Sequence, residues 1–110
     1  MNRDKVAKIL QEIVELLLKK KYDDLCNMSV VKRVTASMIS EEINSYPGEL
    51  TPPPDSSYTD FDVYPVDSSK SFIVDFFLWF DGEKSDLMIN ILFDESTPDL
   101  QFSVWDLLVP

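Results

Sequence analysis

The stretch FIVDFFLWF, residues 72–80, is the most apolar run of the chain, and it contains a single carboxylate, Asp75. Aromatic and β-branched side chains at this density favour a β-strand. Successive side chains of a strand point to opposite sides of the sheet, so a charge is tolerated where one side is not core. The run therefore predicts a central strand with Asp75 facing away from the core.

The composition is that of one soluble domain. Of the 110 residues, 45% are apolar and 12% aromatic, which is enough for a domain with its own core. No uncharged apolar run approaches the ~20 residues that span a bilayer, and the N-terminal segment MNRDKVAKILQEI is too polar for a signal peptide. Cys26 is the only cysteine, so it forms no internal disulfide. We expect a cytoplasmic protein.

The net charge of −10 is distributed unevenly along the chain. Residues 1–33 carry eight Lys/Arg against five Asp/Glu, a net of +3, whereas residues 34–110 carry two Lys against fifteen Asp/Glu, a net of −13. An acidic field of this kind repels nucleic acid and anionic membranes and attracts basic partners. Solubility alone is the other explanation of the acidity.

The N-terminal part of the chain is predicted to be helical. Residues 4–20 repeat apolar side chains at the spacing of one helix face, and Lys19–Lys21 complement the negative end of the helix dipole. Thr35 or Ser37 is expected to cap a second helix, which Pro47 ends. The apolar face of the first helix is Val6, Ile9, Leu10, Ile13, Val14 and Leu17, and that of the second is Ile39, Ile43 and Tyr46.

Proline punctuates the middle of the chain. The segment LTPPPDSS predicts a stiff, extended connector that crosses one end of the sheet. Residues 22–34 are predicted to be irregular or partly helical. The sequence thus predicts a single domain, 1–110, with a helical part (1–47), a Pro-rich connector (48–57) and a β-meander (58–110).

Four strands are predicted in the meander, over residues 58–66, 71–81, 84–94 and 99–108. Three turns set their register. They are a type II′ loop at Gly82-Glu83, a two-residue loop at Ser68-Ser69 and a four-residue loop at 95–98. The resulting pairs are Phe61–Phe76, Val63–Val74, Val74–Ile91, Phe76–Ile89, Leu78–Leu87, Ile91–Phe102 and Ile89–Val104.

These turns bring the apolar side chains of alternate positions to one face of the sheet. A slip of one residue would move them to the other face. We therefore predict an α+β fold in which two N-terminal helices pack on this face of a four-stranded antiparallel meander. The predicted core face is Phe61, Val63, Phe72, Val74, Phe76, Leu78, Leu87, Ile89, Ile91, Phe93, Leu100, Phe102 and Val104.

The opposite side of the sheet, the outer face, combines carboxylates with aromatic side chains. Asp62 and Asp75 lie directly opposite each other, which is destabilising unless a cation, a shared proton or a basic partner compensates. The predicted rows across this face are Asp62–Asp75–Asn90–Ser103, Asp60–Phe77–Met88–Trp105 and Tyr58–Trp79–Asp86–Leu107.

Exposed aromatic side chains surrounded by carboxylates are typical of a surface that binds a basic protein. The alternatives are that a loop, the curved sheet itself or a second copy of the chain covers this face. The predicted partner-binding residues are Tyr58, Asp60, Asp62, Asp75, Phe77, Trp79, Asp81, Glu83, Asp86, Met88 and Trp105.

A small carboxylate-based enzyme or a metal- or ligand-binding domain is the alternative function. Asp62 and Asp75, with Asn90, offer the oxygen atoms needed for glycoside hydrolysis or for a hard metal ion. The chain has no His, one Cys and two Gly, which excludes Ser–His and Cys–His triads, histidine zinc sites and glycine-rich phosphate loops. We predict no enzymatic activity, no cofactor and no bound metal.

Several segments resemble a family of small bacterial α+β domains. They are LTPPPDSSYTDFDVYPV, VDFFLWF, KSDLMINILF and FSVWDLLV, and the resemblance covers residues 5–109. Its most particular features are the segment 50–54, Trp79, the Ser85-Asp86-Leu87 tripeptide and the closing segment 104–109.

Families of this kind are similar to cone-shaped, NTF2-like domains, and their size suits the immunity proteins of contact-dependent toxin systems. The resemblance implies an immunity protein that binds and neutralises a basic toxin, such as a nuclease encoded nearby. It carries no catalytic residue onto this chain. An acidic inhibitor of a basic nuclease is physically sensible, because opposite charges steer association.

Overall fold

Three helices precede a five-stranded antiparallel sheet in the computed structural model, which describes residues 1–66 and 69–110. The predicted α+β class is confirmed. The predicted numbers of two helices and four strands are each too low by one. A short 3₁₀ turn, Asp55–Tyr58, lies between the first two strands. The helices are α1 (Arg3–Leu18), α2 (Tyr22–Met28) and α3 (Ala36–Ser45), and the strands are β1 (Leu50–Thr51), β2 (Asp62–Pro65), β3 (Ser71–Phe80), β4 (Glu83–Asp94) and β5 (Gln101–Leu108).

Both predicted helices begin at a side chain that caps them. The Asn2 side chain accepts hydrogen bonds from the backbone N–H groups of Asp4 and Lys5 at the start of α1. Thr35, rather than Ser37, caps α3. Its hydroxyl accepts a hydrogen bond from a backbone N–H group in the first turn of the helix at 3.2 Å. Such caps satisfy donors that a first helical turn leaves unpaired. Within the described residues, no helix combines the length and the apolar character needed to cross a lipid bilayer.

β3 is the centre of the sheet. β4 pairs along one of its edges, and β5 pairs with the far edge of β4. The other edge of β3 is shared, because β2 pairs with residues 72–75 and β1 with residues 79–80. Both β1 and β2 thus contact the same strand, separated by a gap along its edge.

The core lies between the helices and one face of this sheet. Val74, Phe76, Ile89 and Ile91 are at most 2% exposed, as predicted. Eleven of the thirteen side chains of the predicted core face are buried, and the remaining two, Val63 and Leu100, pack against them. The helices supply the other side of the core through Val6, Leu10, Ile13, Val14, Leu17, Leu25, Ile39 and Ile43.

The first predicted strand, 58–66, is confirmed only over β2. Residues 55–58 form the 3₁₀ turn instead. Val63 pairs with Val74 as predicted. The Ser68-Ser69 loop that implied this pair includes Ser68, which lies outside the described residues.

The β3–β4 hairpin turns one residue earlier than predicted. Phe80 pairs with Glu83, so the loop consists of Asp81 and Gly82. Both loop residues have positive φ, 52° and 76°, as a type I′ turn requires. The prediction of a type II′ loop at Gly82-Glu83 is therefore wrong, because Asp81 adopts the left-handed conformation that aspartate tolerates.

A bulge in β4 restores the predicted core register. Between the pairs that β3 makes with Lys84 and with Met88, β3 contributes one residue, Leu78, and β4 contributes three. The Ser85 hydroxyl donates to the Leu78 carbonyl oxygen at 2.7 Å. This hydrogen bond gives the carbonyl group a partner where the bulge interrupts the ladder. Phe76–Ile89 and Val74–Ile91 are confirmed as pairs, whereas Leu78–Leu87 and Phe61–Phe76 are not paired in the ladder.

The register of β5 differs from the prediction by two residues. Val104 pairs with Ile91, where Phe102 was expected, because the connection before β5 spans residues 95–100 instead of four residues. An even shift keeps the same side chains on the core face. A bulge further along β5 then turns Leu107, predicted for the outer face, into the core, where it is 5% exposed.

The free edge of β5 is covered by the segment between α2 and α3. The Val30 N–H donates to the Phe102 carbonyl oxygen at 3.1 Å, and the Ser29 hydroxyl accepts from the Val104 N–H at 3.0 Å. The Lys32 ammonium donates to three carbonyl oxygens at the end of α2, the shortest at 2.5 Å. The segment predicted to be partly helical thus protects a strand edge that would otherwise be open to other chains.

The hairpin loop is fastened to the chain that precedes β1. The Asp81 N–H donates to the Glu49 carbonyl oxygen at 2.8 Å, and the Asp81 carboxylate accepts from the Glu49 N–H at 3.0 Å. Gly48 lies against this carboxylate with a φ of 97°, and a Cβ there would come within 2.5 Å of Asp81 Oδ2. Glycine at this position therefore permits the close approach of the two segments.

The burial of Phe76 provides a test of which side of the sheet is the core. Phe76→Ala should lower the free energy of unfolding by about 3–5 kcal/mol, because it leaves a cavity beneath the helices. Phe77→Ala is the matched control on the outer face and should cost clearly less. Urea denaturation measures both. A loss below about 1 kcal/mol at Phe76 would show that the two faces are assigned the wrong way round.

Two glycines separate the cost of backbone strain from the cost of losing the loop contact. Gly82→Ala should cost about 1 kcal/mol, because its φ is positive but nothing lies within 4 Å of the added Cβ. Gly48→Ala should cost about 1 kcal/mol more, because the Asp81 carboxylate must leave the Glu49 N–H. Thermal or urea unfolding of the two variants gives the difference. Equal losses would show that this contact adds no stability.

Candidate functional site

The outer face of the sheet keeps apolar side chains half-exposed. Ile73, Phe77, Trp79, Met88 and Leu92 all have intermediate exposure, which shows that no described element covers them completely. Tyr64, at the end of one row, is 52% exposed. The observed rows are Tyr64–Ile73–Leu92–Ser103, Asp62–Asp75–Asn90–Asp106, Phe77–Met88–Leu108 and Thr51–Trp79–Lys84.

The carboxylate row is confirmed at its centre. Asp62 lies opposite Asp75, and Asp75 lies opposite Asn90. The Asn90 side-chain amide donates a hydrogen bond to Asp75 Oδ1, and Asn90 itself is 9% exposed. The sequence does not predict this partner of the carboxylate, which is a neutral amide and does not compensate the charge.

The far end of the predicted row is wrong because β5 is shifted by two residues and a bulge between Val104 and Asp106 adds one more. Asn90 pairs with Asp106 instead of Ser103. Ser103 lies one row further along, opposite Leu92, and is 3% exposed. Its hydroxyl accepts a hydrogen bond from the Val31 N–H at 2.9 Å, so it helps to hold the segment that covers β5.

Three prolines create a cleft at the gap between β1 and β2. Pro52 follows β1 directly, and a residue without an N–H group cannot donate to the ladder, so β1 ends at Thr51. The chain then leaves the edge of β3, forms the 3₁₀ turn and returns to the sheet only at Asp62. Residues 76–78 of β3 therefore pair with neither β1 nor β2.

This detour encloses the acidic cleft, a cavity of about 260 Å³ at the edge of the outer face. Asp60, Asp62, Asp75, Phe77 and Trp79, all predicted partner-binding residues, share it. Ser56, Ser57 and Lys84 were not predicted as site residues. The complete lining is Ser56, Ser57, Asp60, Phe61, Asp62, Asp75, Phe76, Phe77, Trp79 and Lys84.

The three carboxylates of the acidic cleft have no salt bridge with the described residues. The two ion pairs within residues 1–66 and 69–110 join Met1 to Glu95 and Lys19 to Glu15, both remote from the cleft. Lys84 is the cation of the lining, and its Nζ lies 5.0 Å from the centroid of the Phe77 ring. Three carboxylates against one ammonium leave the cleft negative.

Tyr58 is not on the outer face as predicted. Its ring lies in the core, 9% exposed, stacked on Phe76 with ring centroids 5.3 Å apart. Burial, and to a lesser extent the Asp55 carboxylate, raise the pKa of the Tyr58 hydroxyl. The sequence suggested an extended strand here, but Asp55, Ser56 and Ser57 favour a turn, which rotates Tyr58 inward.

Three further predicted residues are engaged elsewhere in the chain. Asp81 holds the hairpin loop to Glu49, as described above. Asp86 accepts a hydrogen bond from the Tyr46 hydroxyl at the end of α3, so it is directed toward the helices. Trp105 lies at the β5 bulge, where the Arg33 guanidinium stacks 4.5 Å from the centroid of one of its rings.

The remaining two predicted residues border the acidic cleft without lining it. Met88 is half-exposed and pairs with Phe77 in the ladder. Glu83 is exposed at the tip of the hairpin, next to Lys84. Met88 therefore shares the outer face with the cleft, whereas Glu83 pairs with Phe80, whose side chain is on the core side, so Glu83 is not on the outer face.

A metal centre finds no support among the described residues. Within residues 1–66 and 69–110, no three or more His, Cys, Asp or Glu side chains are grouped so that they could hold a metal ion. Asp62 and Asp75 are paired, and Asn90 donates its side-chain N–H to Asp75.

A model of a protein family covers most of the chain. The family is a domain of unknown function, DUF7668, and its model matches residues 14–110. The chain belongs to this family. No curated protein and no solved structure matches the chain significantly. The likeness to NTF2-like domains and to immunity proteins therefore stays a prediction.

The Asp75–Asn90 hydrogen bond predicts different effects for two substitutions of Asp75. Asp75→Asn keeps an oxygen for the Asn90 amide and removes the like charge beside Asp62, so the free energy of unfolding should change by less than about 1 kcal/mol. Asp75→Ala leaves the buried amide without its partner and should cost about 1–3 kcal/mol. Urea titrations at low and high salt measure both.

Salt provides the control for this comparison. Screening weakens the repulsion between Asp62 and Asp75, so salt should stabilise the wild type more than Asp75→Asn. A strongly destabilised Asp75→Asn would mean that the charge of Asp75 is needed by the fold.

Proposed function

We propose that this chain is an acidic inhibitor protein that binds a basic protein through the outer face of its sheet, and that it is the immunity protein of a toxin such as a nuclease. In this proposal it acts in the cytoplasm as a binding protein without catalytic residues. The partner is encoded near it.

One observation carries the proposal. The outer face presents half-exposed aromatic and apolar side chains next to carboxylates that have no ion pair with the described residues. A solvated sheet face does not need the half-exposed rings of Phe77 and Trp79, and a buried face does not keep unneutralised carboxylates. A surface that is desolvated only when a basic partner docks accounts for both properties.

The distribution of charge supports a basic partner. Residues 34–110 carry a net charge of −13, and the sheet lies entirely within them. Electrostatic attraction raises the rate at which a basic protein associates with such a surface, while aromatic contacts determine how slowly the complex dissociates. An inhibitor of a toxic enzyme benefits from both.

The identification of the partner as a toxin rests on the sequence resemblance. The proline segment, Trp79, the 85–87 tripeptide and the C-terminal strand resemble small bacterial domains of the NTF2-like and immunity-protein kind. We extend the proposal to that fold relationship as well. The α+β architecture, with helices before the sheet, is compatible with it.

Charge reversal on the outer face tests the proposal against the protein encoded by the neighbouring gene. The double variant Asp60→Lys, Asp62→Lys should slow association about tenfold and flatten its salt dependence, because rim charges act mainly on encounter. Asp81 and Asp86 are left unchanged, since both hold other parts of the fold. Stopped-flow or surface binding gives the rate, and co-expression gives protection.

The matched control reverses the same number of charges on the helices. The variant Glu41→Lys, Glu42→Lys alters two exposed side chains of α3 and changes the net charge by the same amount. It should retain most of the association rate and should still protect cells that make the toxin. If the wild type neither binds nor protects, the immunity proposal fails. If both double variants lose binding equally, the outer face is not the binding surface.

A further inference from the structure

We propose that the acidic cleft is a receptor for one arginine side chain of the basic partner. In the bound state the guanidinium lies against the indole of Trp79 and donates hydrogen bonds to the carboxylates of Asp62 and Asp75. This inference rests on the proposed function, because it names the group of the partner that the outer face recognises.

The size of the acidic cleft suits a single long side chain. Its volume of about 260 Å³ corresponds to roughly eight or nine water molecules. It lies below the ~300–1,000 Å³ of pockets that enclose a drug-sized ligand. The cleft also opens beside the hairpin tip, on the same face as the other half-exposed apolar side chains, so a docked protein can reach it.

The chemistry of the lining selects a planar cation. Asp60, Asp62 and Asp75 are acceptors, and Asp75 uses Oδ1 for Asn90, which leaves Oδ2 for a ligand. Guanidinium presents several N–H donors in a fixed fork that matches carboxylate geometry. Trp79 and Phe77 add aromatic faces, and tryptophan is the aromatic residue that attracts cations most strongly.

Three aromatic rings of the described residues have a cation of the chain over them. The Arg3 guanidinium lies 4.2 Å from the centroid of the Phe61 ring, and the Arg33 guanidinium lies 4.5 Å from a ring of Trp105. Lys84 lies over Phe77 inside the cleft. Of the two tryptophans, Trp79 is the one over which no cation of the described residues lies. The face of Trp79 is therefore available to a cation of the partner.

An anionic ligand is the competing interpretation of the cleft. Lys84 and the hydroxyl groups of Ser56 and Ser57 would be its donors. Three carboxylates in the same cavity oppose it, since bringing an anion within a few ångströms of them is repulsive in a site of reduced dielectric constant. The two interpretations predict opposite effects for the removal of Lys84.

The test titrates the free protein with butylguanidinium, which reproduces an arginine side chain without a backbone. Two-dimensional NMR of the indole N–H groups reports Trp79, and Trp105 serves as an internal reference because Arg33 already covers it. We expect a saturable shift of the Trp79 signal at millimolar concentration, with Trp105 little changed. Butylurea, which has the same shape without the charge, should bind at least about fivefold more weakly.

Variants of the lining decide between the two interpretations. Asp62→Asn with Asp75→Asn should weaken butylguanidinium binding about fivefold or more, because two charge-assisted hydrogen bonds become neutral ones. The control Asp24→Asn with Asp99→Asn removes the same charge at exposed positions on α2 and in the 95–100 connection and should change binding by less than about twofold. Lys84→Met should strengthen binding, because it removes a like charge.

Three results would overturn the inference. They are no shift of Trp79 at tens of millimolar butylguanidinium, equal binding of butylurea, or weaker binding by Lys84→Met. Because the titration uses the free protein, its failure leaves the inhibitor proposal standing on the co-expression assay. Conversely, a chain that fails to protect cells can still show the guanidinium shift.

Discussion

The pairing of β3 with β4 is the constraint on which the other features of the molecule depend. Its register places Phe76 against Ile89 beneath the helices and thereby fixes Asp75 on the outer face. Side chains of a strand alternate, so a slip of one residue would expose the phenylalanine and bury a carboxylate without a cation. Each of these changes would lower the free energy of unfolding by several kcal/mol, so the sequence strongly favours the observed register. The position of the acidic row is therefore set by the core.

Proline decides how the remaining edge of β3 is used. Without the run at 52–54, β1 could continue along β3 and meet β2, and the sheet would have no gap. The missing N–H groups end β1 after two residues and send the chain through the 3₁₀ turn. The detour has two consequences on opposite sides of the sheet. Tyr58 fills the core side, while the outer side is left with the acidic cleft.

The sequence predicts those parts of the fold that follow from period and local turn chemistry. Helices α1 and α3 and the core face follow from spacing, and an even error in strand register leaves the core face intact. The features that the sequence does not predict depend on a β-bulge, which inserts an odd number of residues into one strand, or on a tertiary contact. The β5 bulge moves Leu107 inward, and the bulge in β4 compensates for a misplaced turn. The cleft lining includes Lys84 because a type I′ loop places it opposite Trp79, which an assumed type II′ loop at 82–83 does not.

The chain holds cations that could neutralise the outer face, and it directs them elsewhere. Arg3 donates to the carbonyl oxygens of Thr59 and Phe61, behind the wall of the cleft, and Lys32 caps α2. The carboxylates are thus left with a neutral amide and one ammonium that faces an aromatic ring. At physiological ionic strength their field decays within about 8 Å, so it orients a partner only at the last stage of approach. Lasting affinity must then come from contacts that water cannot replace. The half-exposed rings of Phe77 and Trp79, set among those carboxylates, are the groups on this face that provide such contacts.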